Sequence, residues 1–119
     1  MKRILVVDSL EGSELLTPII KKFGNQLCGV AESGEIAMKL IRDTKPDLVF
    51  INVALKGEMN CTGLACHINE HEKIPFIYMT EHADTEVVNE VIHTRPSMFL
   101  VKPFVESEIN QAIDIATRK

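Results

Sequence analysis

Four places in the 119-residue chain put a chemically capable side chain directly after a short apolar run. They are Asp8 with Ser9, then Asn52, Thr80 and Lys102, following residues 4–7, 47–51, 75–79 and 98–101. Together they offer one carboxylate, two hydroxyls, one carboxamide and one ammonium. A carboxylate oxygen is a charged nucleophile that can accept a phosphoryl group as a mixed anhydride; the neutral amide oxygen of Asn52 is far poorer in that role. A hard cation such as Mg²⁺ also relies on one or two carboxylates. Within this set only Asp8 supplies one. A second group, Cys61, Cys66, His67 and His71, has metal-ligand chemistry. His67 and His71 are four residues apart and could share a divalent ion. At 100° per residue, however, Cys61 and Cys66 lie about 140° apart on a helix, and Cys61 points with Leu64 and Ile68 toward the core. No structural metal is expected there. His82 and His93 flank the fourth helix and read as solvent-side residues.

The elements that must position the first set are legible as an alternation. Runs at residues 4–7, 27–31, 47–51, 75–79 and 98–101 are short and nearly all apolar, as strands buried on both faces of a parallel sheet must be. Segments of helical period lie between them. Ile109, Ala112, Ile113 and Ala116 form one apolar stripe, Cys61, Leu64, Ala65 and Ile68 a second, and Val88, Val91 and Ile92 a shorter third. Ser33 is a suitable N-cap for a helix that turns Ala37, Leu40 and Ile41 inward, and Gly24 a suitable stop for the first helix. Pro18 falls inside residues 15–23 and should kink that helix or delay its start to Thr17. Strict alternation of five strands and five helices implies right-handed crossovers and an α/β three-layer sandwich. The working site of such a sheet lies at the carboxyl ends of its strands, where the strand order reverses.

Composition bounds the function. A chain this long, 45% hydrophobic, can bury one core without staples but not two, so residues 1–119 are expected to be a single domain. Thirteen basic against seventeen acidic residues give a net charge of −4, the wrong sign for tracking nucleic acid or an anionic membrane. Three cysteines cannot all pair within the chain, and neither a signal peptide nor a membrane span is visible. A reduced, cytoplasmic protein is expected.

The segments Ile4-Leu5-Val6-Val7-Asp8, Pro46-Asp47-Leu48-Val49-Phe50-Ile51-Asn52, Pro75-Phe76-Ile77-Tyr78-Met79-Thr80 and Phe99-Leu100-Val101-Lys102-Pro103-Phe104 resemble, in order and spacing, the signature segments of response-regulator receiver domains. The resemblance implies a flavodoxin-like sheet of order 2-1-3-4-5. It places the acidic pair that holds Mg²⁺ at Asp8 and Ser9 and the phosphoacceptor at Asn52. It further implies phosphoryl-contacting or switch positions at Thr80, Phe99 and Lys102, and a cis Lys102–Pro103 peptide. Two of the three acidic positions are thus not acidic. Phe99 lacks a tyrosine's hydroxyl and reads first as a core aromatic. Lys102, without an acceptor carboxylate, should pair with Asp8 directly or through water.

The expectation that follows is an atypical receiver in a two-component or phosphorelay pathway, with phosphotransfer lost, Mg²⁺ weak or absent, and action through protein contacts. The resemblance implies a histidine kinase, an output domain or another receiver as partner, including a homodimer. The expected face is the fourth helix, fifth strand and fifth helix, with Glu86, Glu90, His93, Gln111 and Asp114 exposed. Residues 54–62 offer a further partner surface. Two alternatives stay open. One is an active receiver whose acceptor aspartate is mutated to, or masked as, Asn52. The other, a flavodoxin-like cofactor binder, is weakened by a single glycine in Ser9-Leu10-Glu11-Gly12-Ser13 where a phosphate loop would need several.

Overall fold

Unbroken aliphatic and β-branched runs build the strands. The computed structural model describes residues 1–55, 57–81 and 85–118. Its strands are β1 (Arg3–Val7), β2 (Gln26–Ala31), β3 (Leu48–Asn52), β4 (Phe76–Thr80) and β5 (Met98–Val101). All neighbours pair parallel in the order β2-β1-β3-β4-β5. The chain runs outward from β1 to β2 and then returns to β3, so the order reverses between β1 and β3. Asn52 and Thr80 prove to be the last residues of β3 and β4, which run one residue beyond the apolar runs.

Strand residues divide by parity between two cores, because successive side chains point to opposite faces. Leu5, Val7, Val49, Ile51, Phe76 and Tyr78 face one cluster, Ile4, Val6, Leu48, Phe50, Ile77 and Met79 the other. The helices covering these faces are α1 (Leu10–Ser13), α2 (Leu16–Lys22), α3 (Gly34–Thr44), α4 (Cys61–His67), α5 (Thr85–Val91) and α6 (Glu106–Thr117). Helices α3 and α4 cover the first face through Ala37, Ile41, Cys61, Leu64 and Ala65. Helices α2 and α6 cover the second through Leu16, Ile20, Ile109, Ala112 and Ile113. No helix among the described residues is long and apolar enough to cross a membrane.

Three local departures from the periodicity have physical causes. The first crossover helix begins earlier than expected and is broken into α1 and α2. Pro18 would clash with the carbonyl of Glu14 in a continuous helix but fits the first turn of α2, where a missing N–H costs nothing. α4 runs on into a π-helical turn, Ile68–Glu72, closed by a bond from the Lys73 N–H to the Ile68 carbonyl. α5 tightens into a 3₁₀ turn, Ile92–Thr94, which rotates Ile92 out to 54% exposure and removes it from the inward stripe. Ser33 caps α3 by accepting from the Ile36 N–H, and Gly24 ends α2 at φ 80°.

One buried polar tie joins β4 to the turn after α5. The Tyr78 hydroxyl lies 2.6 Å from Thr94 Oγ1, and Thr94 Oγ1 donates its own proton to the Val91 carbonyl. Tyr78 must therefore be the donor in the first bond. Tyr78→Phe removes one satisfied bond and should cost about 1 kcal/mol. Thr94→Val strands a buried phenol and should cost about 2–3 kcal/mol, and urea unfolding orders the two. Burial pushes the Tyr78 phenol well above its ordinary value. The folded state therefore keeps this proton where the unfolded state loses it. Stability should be unaffected by Tyr78 below about pH 10 and should fall as pH rises beyond it. Since Tyr78 is the only tyrosine and tryptophan is absent, phenolate absorbance should rise only as the protein unfolds.

Candidate functional site

Three strand ends converge on Asp8. The ladder fixes the backbone first: the Asp8 N–H donates to the Ala31 carbonyl at 2.9 Å, and the Lys102 N–H to the Thr80 carbonyl at 2.8 Å. Asp8 is only 3% exposed. Its Oδ1 accepts from the Ser9 N–H and from Asn52 Nδ2, each at 2.7 Å, while Lys102 Nζ donates to its Oδ2 at 3.0 Å. Asn52 Oδ1 in turn accepts from the Ala54 N–H at 2.9 Å. Only one orientation of the carboxamide satisfies both contacts, because a carboxylate requires a donor and a backbone N–H an acceptor. The Asn52 amide thus aims its NH₂, not its oxygen, at Asp8.

α1 closes the site from the side. Ser9 is its N-cap, with Oγ accepting from the Gly12 N–H at 2.9 Å. A Cβ at Gly12 would stand 2.6 Å from the Asp8 carboxylate oxygens, so glycine is needed here for close approach. These groups line a cavity of about 410 Å³ with Glu11, Leu15, Glu81, Pro103 and Phe104. The Lys102–Pro103 peptide is cis.

The structure gathers Asp8, Ser9, Asn52, Lys102 and Pro103 around this cavity, with Thr80 and Phe99 outside its lining. Thr80 is buried at the end of β4, and Phe99 is half-buried with its ring centroid 6.0 Å from that of Tyr78. Sequence reasoning missed Gly12, Glu11 and Glu81. The last two are exposed acids that correct the picture of Asp8 as the only carboxylate at this end. Nothing in a single sequence distinguishes them from other surface acids.

Away from the site, Glu86, Glu90, His93, Gln111 and Asp114 are all exposed on α5, the turn after it, and α6. Asp114 pairs with Arg118 one turn on. Ile92, Val101, Val105 and Ile115 add exposed apolar surface to the same elements, a feature not foreseen from periodicity. The His67 and His71 rings lie 4.8 Å apart, but Cys61 is buried, where desolvation raises its thiol pKa, and Cys66 is exposed. Among the described residues no group of three or more His, Cys, Asp or Glu is arranged for a metal. His82 lies outside the described residues, as does Lys56 within the 54–62 loop.

A family model described as the response regulator receiver domain matches residues 4–114. The chain belongs to the response-regulator receiver domain family. This receiver is 31% identical over 118 residues to chemotaxis protein CheY of Thermotoga maritima, covering 95% of each chain. It is 27% identical over 114 residues to protein CcdB of Bacillus subtilis, again 95% of each. Against the DNA-binding response regulator MtrA of Mycobacterium leprae it is 28% identical over 109 residues, spanning 91% of this chain but 48% of that protein. The signal receiver domain of a modulated diguanylate cyclase from Desulfovibrio desulfuricans superposes with a TM-score of 0.91 at 22% identity, covering 98% of this chain and 94% of that one. That likeness supports the fold: the flavodoxin-like sheet of order 2-1-3-4-5 is the receiver architecture. Receivers are signalling modules of two-component systems.

The Asp8–Lys102 pair should be strongly coupled in this receiver, since the carboxylate is buried and the lysine side chain only 17% exposed. Lys102→Met leaves an uncompensated buried carboxylate and should cost roughly 2–3 kcal/mol. Adding Asp8→Asn should recover much of that loss, giving a coupling above about 1 kcal/mol in a double-mutant cycle of urea midpoints. Gly12→Ala should lower the thermal midpoint despite alanine's better helix propensity, because the methyl collides with Asp8.

Proposed function

We propose that this receiver acts as a protein-interaction module without conventional aspartyl phosphorylation and without Mg²⁺, a pseudo-receiver in a two-component or phosphorelay pathway. The observation that carries this reading is the Asn52 carboxamide at the position the family resemblance assigns to the phosphoacceptor, locked with its nitrogen toward Asp8. A nucleophile there would need an exposed, charged oxygen. Asn52 offers a neutral oxygen already accepting from the Ala54 N–H.

The donor set does not fit a magnesium ion. Oδ1 of Asp8 takes two N–H donors and Oδ2 takes an ammonium, so a cation already stands where a metal would have to bind. The Asn52 NH₂ would meet the metal with its protons. Glu11 and Glu81 are exposed and remain solvated at the rim. Lys102 instead holds the site in a charge-balanced state independent of any ligand.

Signalling would then depend on binding and concentration. The proposed face is α5, β5 and α6, presenting Glu86, Glu90, His93, Gln111 and Asp114 with the apolar residues among them. A histidine kinase, an output domain or another receiver, including a second copy of this chain, is the class of partner. Neither nucleic acid nor a membrane is assigned to this domain, and a cytoplasmic setting fits a pathway of this kind.

Incubation with acetyl phosphate and Mg²⁺ should leave the intact mass unchanged; a stoichiometric phosphoryl adduct would overturn the proposal. The thermal midpoint should likewise not respond to Mg²⁺. Asn52→Asp places a second carboxylate against Asp8 and should lower the midpoint in chelator. Combined with Ser9→Asp it should restore a Mg²⁺-dependent rise, as expected when a ligand binds only the folded state.

A further inference from the structure

The end of the sheet opposite the Asp8 site carries a larger concavity, of about 560 Å³, within the range of small-molecule sites. Its lining brings together Lys2 before β1, Lys73 after the π turn, Arg95 after the 3₁₀ turn and Arg118 beyond α6, with Asp47 as the one acid. Four cations less Asp47 and the Asp114 that pairs with Arg118 leave a local charge of +2, in a chain whose total is −4. Part of the remaining polarity is already used. Asp47 Oδ2 accepts from the Arg3 N–H at 2.8 Å, and Arg118 pairs with Asp114. Asn69 Nδ2 donates to the Thr94 carbonyl at 2.7 Å, tying the π turn to the 3₁₀ turn across the cavity wall.

Two of these cations also stand on an uncommon backbone conformation. Lys73, Arg95 and, after α3, Lys45 sit in the left-handed region at φ 55°, φ 59° and φ 48°, where α2 uses Gly24 at φ 80°. A cation is electrostatically favoured at a helix C-terminus, but any position in the last turn would provide that at ordinary dihedrals. Placing long basic side chains on left-handed backbone accepts a steric cost that glycine avoids. Lys73 and Arg95 line the cavity, whereas Lys45 lies outside its lining.

We propose that this cavity binds a small ligand bearing two or more phosphates. Positive charge supplied from four separate segments suits an anion whose charge is spread over several centres, and the two arginines and two lysines are the donors phosphate oxygens require. The site is remote from Asn52 and does not depend on how that residue behaves toward phosphodonors.

The test is an amide NMR titration at moderate salt with pyrophosphate, ADP, adenosine and sulfate. Pyrophosphate and ADP should give saturable shifts at Asn69, Lys73, Arg95 and Thr117 with Asp8 and Asn52 unmoved. Tighter binding of ADP identifies a nucleotide and equal binding a polyphosphate group alone; adenosine should give no shifts. Lys73→Gly with Arg95→Gly relaxes the left-handed backbone, so the thermal midpoint should hold or rise while affinity falls at least tenfold. Lys73→Gln with Arg95→Gln repeats the charge loss without added chain flexibility. The proposal is overturned by shifts that do not saturate, by sulfate binding as well as pyrophosphate, by binding centred on Lys102, or by undiminished affinity in both double variants.

Discussion

A carboxylate removed from water needs a cation and donors for its oxygens, and the end of this molecule that carries the site is arranged around meeting that need for Asp8. Each neighbour can be understood from it. Ser9 contributes its backbone N–H to Asp8 and its hydroxyl to the first turn of α1. Gly12 has no side chain because the carboxylate occupies the space a methyl would fill. Asn52 turns its nitrogen inward, and Lys102 reaches back from the edge strand of the sheet across the ends of β4 and β3. A metal ion and this arrangement are competing solutions to one electrostatic problem. The ammonium has the advantage of being covalently part of the chain.

Much of this was legible in the residues themselves. The five strands could be read because both faces of a parallel sheet are buried, which forces apolar runs with little alternation, and such runs stand out against amphipathic helices. The pairing of Asp8 with Lys102 could be anticipated because a lone acid and a lone base at converging strand ends have few other partners. What escaped detection depends on distance in space. Gly12 looks like an ordinary helix glycine until the position of the Asp8 carboxylate is known. Glu11 and Glu81 gain meaning only from the cavity they border. Ile92 continues an apolar stripe in sequence, yet a small tightening of the helix turns it outward, and periodicity counts residues without registering a change of pitch. The break before α2 was signalled by Pro18, but its place was not, since a proline in the first turn permits a helix to start just ahead of it.

The middle and the ends of the sheet do different work. Its interior residues are almost fully buried and split evenly between two apolar clusters, which gives cohesion without specifying any function. Polar specificity sits at the two ends of the strands, where the connections turn. One end is closed on itself by the Asp8 network. The other gathers the helix C-terminal turns with their basic residues, and the hydroxyl tie from Tyr78 to Thr94 is set between these ends, holding α5 and its trailing turn to β4.

The partners of Asp8 also differ in when the chain supplies them. Ser9 is adjacent, Asn52 is 44 residues away and Lys102 is 94 residues away. As the polypeptide leaves the ribosome, β1, β2 and β3 can assemble while the carboxylate still lacks its counter-charge. Only the arrival of β5 completes it, after a loop closure that spans most of the sequence. The charge pair thus registers completion of the domain: until the last strand is in place, Asp8 retains a reason to stay in water.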